Sequence, residues 1–328
     1  MATPISVIVP LHNRADLAAQ CLAALARWTT ALEIIVVDDG STDPGVDLLQ
    51  RAGLAHHWLR NPVARGFSAA VNRGLALATG ETLLLLNSDA EVTAGGDLVL
   101  RQALARAAAS SDLRPGADLG IPPGAHLGAV AARLVFPDGR PQWSGGSFPS
   151  LLWLFALASG LGRDSRSRVR KAPPSGFAGG AVDWAPGAAL AIARSAWSAV
   201  GPFDESYRHY AQDLDYCQRL AAAGFTVRVL ADWTVVHHLG GSLGPSSGRP
   251  SGPASAEVGG HDGQRLDLLW LDLLHWARRH RSAAWARQAR RRLLLGGRVR
   301  QLMLALRRGS SEALAVAAAI AAIRARDA

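Results

Sequence analysis

The sequence predicts an α/β fold, a mostly parallel central sheet flanked by helices, with a helical extension at the C-terminus. Three observations predict it. Short continuous apolar runs alternate with helical periodicity through the first hundred or so residues, the pattern of parallel strands covered on both faces. Polar clusters stand at the ends of these runs, at His12-Asn13, Asp38-Asp39 and Asn87-Ser88-Asp89. A Leu-, Trp- and Arg-rich stretch of helical character closes the chain.

Ile5–Pro10 (ISVIVP) is a β-branched run ended by proline. Arg14–Trp28 carries Leu17, Cys21, Leu22, Leu25 and Trp28 at helical spacing. Glu33–Val37 is a second buried strand, and Asp43 with Pro44 starts the next helix. His57–Leu59 is a third short strand. Phe67–Thr79 reads as a helix stopped by Gly80. Thr82–Leu86 is a fourth strand. Ser110–His126 is rich in Gly, Pro, Asp and Ser and reads as a loop. Leu127–Val135 and Asp183–Ala193 are strands, and Asp213–Ala223 is a helix stopped by Gly224. Gly240–Gly263 holds 8 Gly, 5 Ser and 3 Pro and reads as a flexible segment. Gln264–Arg308 is helical, broken at Gly296-Gly297. The expected organisation is a globular domain over 1–240, a Gly/Ser/Pro loop over 241–263 and a basic helical region over 264–328. The first domain divides into halves of about 1–126 and about 127–240.

The net charge of +9 is unevenly placed. Residues 1–264 hold 21 Lys+Arg against 22 Asp+Glu, whereas residues 265–328 hold 14 Arg against 4 acids. The globular part is therefore near neutral, which argues against a nucleic-acid-binding surface. The 2 cysteines cannot form a disulfide scaffold and indicate a reducing, cytoplasmic setting. The chain opens without a basic leader pattern. The apolar runs Leu151–Leu161 and Ala313–Ile323 would span roughly 16 Å as helices, too little to cross a bilayer.

Ligands of open α/β sheets bind at the carboxyl ends of the strands, so the clusters there carry the chemistry. Asp89 at a strand end either holds a hard divalent cation, with diphosphate oxygens completing the shell, or caps the next turn. Asp213 and Asp215 lie two apart at the start of a helix and point to different sides. One enters a site while the other caps or pairs with Arg219, or both favour the helix N-terminus electrostatically. His237 and His238 end an apolar strand and face opposite ways, so one of them can reach a given site.

Taken together, these segments resemble family 2 of the inverting glycosyltransferases, which have the GT-A fold. The motifs run from Ser6-Val7-Ile8-Val9-Pro10 with Asn13, through Val36-Val37-Asp38-Asp39-Gly40-Ser41, to Arg65-Gly66-Phe67 with Asn72 and Leu86-Asn87-Ser88-Asp89. They continue through Phe136-Pro137-Asp138-Gly139 and Ser144-Gly145-Gly146. The likeness is strongest at Gly201-Pro202-Phe203-Asp204-Glu205, Asp213-Leu214-Asp215-Tyr216-Cys217, Ala223-Gly224-Phe225 and Val235-Val236-His237. It covers about residues 5–240, and within the family the chain looks most like the rhamnosyltransferase and galactofuranosyltransferase-like branch.

The resemblance implies transfer of a sugar, rhamnose from dTDP-rhamnose first and galactofuranose or another sugar from a UDP-linked donor second. The implied acceptor is a hydroxyl of a cell-surface glycan or lipid-linked acceptor. It places Pro10, Asn13, Asp39, Arg65, Asn72, Asn87, Ser88 and Asp89 around the nucleotide-sugar. Asp89 and His237 would bind Mn²⁺ or Mg²⁺, which offsets the charge of the departing diphosphate. Asn87 stands where the family has the first acid of its DxD motif. Asp213 matches the catalytic base, and Gln212 replaces the acid that usually precedes it. Trp184 is either a sugar platform at the acceptor side or a core tryptophan.

Two other classes compete. A nucleotidyltransferase of similar fold would want a basic, Gly-rich phosphate loop, which Pro10–Asp16 is not. A non-enzymatic membrane- or glycan-binding protein would not need Asp39, Asp89, Asp213 and His237 together. The segment after His237 is expected to close over the donor. The basic C-terminal region either docks on the catalytic domain or a second subunit of a homo-oligomer, or lies on an anionic membrane surface at the inner face of the cytoplasmic membrane.

Overall fold

A computed structural model describes residues 5–93, 96–109, 126–161, 179–238, 265–305 and 311–325. The expected loop at 110–125 and the segment 241–263, with its expected closure over a donor, lie outside these residues. The chain forms two compact units. One takes in Met1–Ser147, Ala172–Glu205 and Asp213–Gly244; the other takes in Phe148–Lys171, Ser206–Gln212 and Pro245–Ala328.

The first unit is built on a 9-stranded sheet. Its strands are β1 (Ile5–Leu11), β2 (Leu32–Asp39), β3 (His57–Asn61), β4 (Thr82–Leu86), β5 (Ala90–Val92), β6 (His126–Val135), β7 (Gly180–Val182), β8 (Ala189–Ala193) and β9 (Phe225–His237). The order is β3-β2-β1-β4-β8-β6-β9-β5, with β7 on β9. The half β3-β2-β1-β4 is parallel, as its continuous apolar strands predict. Beyond β4 the expectation of a mostly parallel sheet gives way to a mixed one. β8 is antiparallel to β4 and β6, while β6 and β9 run parallel. The strand expected over Asp183–Ala193 is shorter: only Ala189–Ala193 is strand, as β8, and the chain reaches it from β7, which ends at Val182, by a turn through Pro186-Gly187. Proline has no N–H for a ladder, so the break falls beside it.

The helices α1 (Ala15–Leu25), α2 (Gly45–Arg51), α3 (Phe67–Leu75), α4 (Gly96–Ala109), α6 (Arg194–Val200) and α7 (Gln212–Ala222) belong largely to this unit. Helix α1 buries Cys21, Leu22 and Leu25 against the same core as Val7, Val9 and Leu84. Helix α4 is tied down at its start by Asp97, whose Oδ2 accepts the N–H and hydroxyl of both Thr29 and Thr30. Those bonds hold the Asp97 carboxyl below its usual range despite the opposing effect of burial.

The second unit contains α5 (Leu151–Ser159), α8 (Leu266–His280), α9 (Ala283–Ala305) and α10 (Ser311–Arg324). Within α8, Leu266, Trp270, Leu273, Leu274 and Trp276 are each under 5% exposed, while Leu269 is half-buried. The break expected at Gly296-Gly297 is not there. Helix α9 runs through both glycines, and the interruption falls instead at Arg281-Ser282. The glycines serve packing. A Cβ on Gly296 would stand 2.7 Å from the Phe155 carbonyl oxygen of α5, and one on Gly297 would stand 2.7 Å from the Trp270 ring of α8. Gly296→Val should therefore destabilise this unit by about 1–3 kcal/mol, seen as a lower urea midpoint; an unchanged midpoint would show that α5 gives way freely. No helix among the described residues is long and apolar enough to cross a membrane.

Candidate functional site at one edge of the sheet

The strand register assembles the site. Leu86, the last residue of β4, pairs with Ala189, the first of β8. Ala90 of β5 pairs with His237, the last of β9. Asn87-Ser88-Asp89 therefore lies between the start of β8 and the end of β9, in the first unit. Asn87 donates its N–H to the Ala188 carbonyl at 3.0 Å, and the Asp89 carbonyl accepts the N–H of His238 at 3.0 Å.

Asp89 and His237 are brought together here. His237 Nε2 is 3.3 Å from Asp89 Oδ1, and both side chains are under 10% exposed. Asn87 Nδ2 lies 3.3 Å from the same nitrogen. Gln142 closes the other side of the imidazole, with Oε1 at 3.0 Å from Nδ1. His238 faces the other way and meets Glu91 Oε1 at 2.8 Å. The donor set of one carboxylate oxygen, one imidazole nitrogen and one amide suits a divalent cation that draws its remaining ligands from a diphosphate and water. Among the described residues no group of three or more His, Cys, Asp or Glu that could hold a metal ion comes together.

Asp213 sits at the start of α7. Its Oδ1 accepts the Leu214 N–H at 2.8 Å and its Oδ2 the Gly187 N–H at 3.2 Å. Gly187 precedes Ala188, whose carbonyl holds Asn87. The turn before β8 thus links the Asp213 carboxylate to the Asn87-Asp89 cluster through two backbone hydrogen bonds. Burial pushes the Asp213 carboxyl up from the usual carboxylate range to about 6, with the bonds from Leu214 and Gly187 opposing the rise. Asp215 is fully buried and pairs with Arg219 at 2.8 Å, one of the alternatives the sequence leaves open. The Gln212 Oε1 atom is buried without a hydrogen-bond partner among the described residues.

Several expected nucleotide-sugar residues stitch loops together. Asn13, with φ of 58°, accepts the Thr42 and Asp43 N–H groups on Oδ1 at 2.8 and 3.1 Å. This pins the turn after β2 to the turn after β1, beside Pro10. Asp39 is buried, and its carboxylate accepts Asn61 Nδ2 at 2.7 Å, the Arg65 N–H and the Gly66 N–H. It thereby shapes the start of α3. Asn72 spends its amide on Phe203, donating to the carbonyl at 2.9 Å and accepting the N–H at 2.8 Å, and also reaches Glu205 at 3.0 Å. Arg65 is exposed and 3.3 Å from Glu205. The motif Gly201–Glu205 is held further by Arg219, which donates to the Val200 and Pro202 carbonyls, and by Phe203 stacked on Tyr216 at 4.1 Å. Ser88 is buried. Trp184 is 8% exposed, edge-on to Trp143 at 4.5 Å, with its indole N–H on the Ser147 carbonyl. Of the two roles open to it in the sequence, these contacts favour that of a packed core tryptophan over a sugar platform.

Residues 6–110 match the sequence profile of the family Glycosyl transferase family 2. An uncharacterized glycosyltransferase of Escherichia coli K12, YibD, is 40% identical over 91 residues, 27% of this chain and 26% of the relative. The O-antigen biosynthesis protein RfbC of Myxococcus xanthus is 25% identical over 250 residues, 71% of this chain and 17% of the relative. The likeness thus spans about a quarter or less of these relatives' own length. Among solved structures, the mannosyltransferase PcManGT of Pyrobaculum calidifontis, in complex with GDP-Man and Mn²⁺, aligns at a TM-score of 0.51 and 21% identity. That alignment covers 98% of this chain and 81% of the other. The fold is a GT-A-like α/β fold, with a mixed central sheet flanked by helices and further helices at the C-terminus.

Proposed function

We propose that the protein is a metal-dependent inverting glycosyltransferase of glycan biosynthesis, with Asp213 as the base. The observation that carries this is the joint placement of the Asp89–His237 pair and the desolvated Asp213 carboxylate, tied to one another through Gly187-Ala188. The family match over residues 6–110 and the fold likeness to a mannosyltransferase support it.

In this reading Asp89 and His237 hold Mn²⁺ or Mg²⁺, with Asn87 alongside. Bound there, the cation supplies positive charge against the diphosphate of the donor. Asp213 accepts the proton of an acceptor hydroxyl as that oxygen attacks the anomeric carbon. The bond from that carbon to the diphosphate oxygen breaks with inversion, and the diphosphate leaves with the electron pair. A carboxyl that titrates at about 6 is ionised at neutral pH, yet basic enough to take the proton. The edge turns held by Asn13, Asp39 and Asn72 form the nucleotide pocket, and the buried Gln212 Oε1 supplies an acceptor for a substrate hydroxyl.

The donor we favour is dTDP-rhamnose, with UDP-galactofuranose and other UDP-sugars next. The acceptor is a cell-surface glycan or a lipid-linked one, consistent with the O-antigen relative. The exposed arginines Arg278, Arg279, Arg287, Arg291, Arg292 and Arg298 on α8 and α9 would hold the enzyme to an anionic cytoplasmic membrane, each adding about 1 kcal/mol near the surface. Arg287 and Arg291, with Leu151 and Trp285, line a cavity of about 460 Å³ on the same unit. Co-sedimentation with phosphatidylglycerol vesicles should fall with salt and with Arg287→Glu/Arg291→Glu; binding indifferent to both would favour subunit contacts instead.

A panel of nucleotide-sugars with Mn²⁺ tests the central claim, read as nucleoside diphosphate release and as a thermal shift. A donor at 100 times its Kd stabilises by about 2.7 kcal/mol. If no nucleotide-sugar shifts the unfolding temperature or is turned over, the proposal is wrong.

A further inference from the structure

Gln142 stands in the turn that follows β6. The turn is set by Gly139, with φ of 82°, and by the Phe136 and Gly139 backbone bonds at 2.8 Å. The Gln142 N–H returns to the Leu134 carbonyl at 2.9 Å. Because β6 and β9 are parallel and Val135 pairs with Val236, this return delivers the side chain to His237. Gln142 is 5% exposed.

Its amide orientation is determined by its surroundings. Nε2 faces two carbonyl oxygens, those of His237 and Val135, and neither can donate a hydrogen. The amide nitrogen must therefore point there, and Oε1 must face His237 Nδ1 at 3.0 Å. Oε1 only accepts, so Nδ1 carries the hydrogen. In the neutral ring the other nitrogen, Nε2, then keeps its lone pair, 3.3 Å from Asp89 Oδ1 and 3.3 Å from Asn87 Nδ2. Two lone pairs facing each other repel unless a proton or a metal cation lies between them, so in the neutral ring the pair is aimed at a cation.

We infer that Gln142 is a positioning residue that fixes the Nδ1–H tautomer and the ring orientation of His237, aiming Nε2 at the site shared with Asp89. This rests on the reading of Asp89 and His237 as the metal pair. Outer partners of this kind orient ligating histidines, and their loss typically weakens metal binding 10–100-fold.

The test uses the full chain and two readouts that need no sugar transfer. In metal-free protein at pH 8, ¹H–¹⁵N multiple-bond spectra, with His237 assigned from His237→Gln, should show the Nδ1–H tautomer. A proton on Nε2 in the wild type would overturn the inference without any variant being made. Mn²⁺ titrations followed by electron paramagnetic resonance should then show Gln142→Leu binding about 10–100-fold more weakly, with His237 no longer confined to one tautomer. Binding within twofold of wild type, with the tautomer unchanged in Gln142→Leu, would equally overturn it. A wild type that shows the Nδ1–H tautomer but binds no Mn²⁺ would uphold the hydrogen-bond assignment and count against the metal-dependent enzyme, so the two failures separate.

Discussion

Asp213→Asn should lower the transfer rate by about 10²–10⁴-fold and at the same time make the protein more stable at neutral pH. Both effects come from the same carboxylate. Burial raises its pKa from the ordinary range to about 6, so the folded protein holds a proton there that the unfolded chain has already lost. Between about pH 4 and pH 6 the native state binds more protons than the unfolded state, and stability falls as pH rises through that window. Above it the whole cost of the ionised group is present. A tenfold change in proton affinity is worth roughly 1.4 kcal/mol, and the side chain keeps some contact with solvent, so the cost is on the order of 2 kcal/mol.

The asparagine removes that cost but turns an amide N–H₂ toward either the Gly187 or the Leu214 N–H, which returns about 1 kcal/mol. The net gain of about 1 kcal/mol corresponds to a rise in unfolding temperature of about 2–4 °C. The gain should disappear below pH 4, where the wild-type group is protonated too. Catalysis follows the opposite sign. As the proposed base, Asp213 works only when ionised, so wild-type kcat/KM should fall tenfold per pH unit below about 6. A variant that is inactive and also less stable at pH 7.5 would mean that Asp213 serves the fold rather than the reaction. Gain of stability with loss of rate is the signature of a group kept at a cost for function.

The parallel half of the sheet was legible because each strand is a continuous apolar run bounded by turn residues. The insertion of β8 between β4 and β6 was not, since a five-residue strand such as ALAIA carries no mark of direction. Helices α5 and α10 are apolar nearly all round, so they show little helical period to read. Gly296-Gly297 reads as a breaker by composition, while its contacts with α5, α8 and α10 demand small residues inside a continuous helix. In the site, Asp89, Asp213 and His237 are legible because each ends a strand or starts a helix within a recognisable motif. Asn72 stands out by the same signal, but its amide is engaged with Phe203 and Glu205. Gln142 leaves no trace, for its partner lies 95 residues further along the chain. Glutamine in a turn is ordinary until β6 and β9 are known to be neighbours.

Asp272 is invisible in the sequence for the same reason, and its replacement should cause the largest loss of stability. It lies within α8, 2% exposed, where a charged side chain is rare. Its Oδ1 accepts the Arg208 N–H at 3.3 Å, and its Oδ2 accepts those of His209 and Tyr210 at 3.0 and 2.9 Å. Ser206 and His275 add a hydrogen bond at 2.9 Å, and the Tyr207 and His275 rings meet edge-on at 4.8 Å. Asp272→Ala leaves three backbone donors without their acceptor, and bonds to a charged group are worth about 1.5–3 kcal/mol each. Allowing for water reaching some of them, the loss should be about 3 kcal/mol or more, measured as a lower urea midpoint. Asp272→Asn should fall between, since one oxygen survives while the new amide group opposes the donors it replaces. Residues 206–212 pack with the helical unit and run directly into Asp213. A chain ending at residue 264 therefore loses the anchor of the segment that leads to the proposed base, and it should lose transfer even where the sheet still folds. A truncated chain with wild-type turnover, or Asp272→Ala with a wild-type midpoint, would show that the segment holds its form without α8.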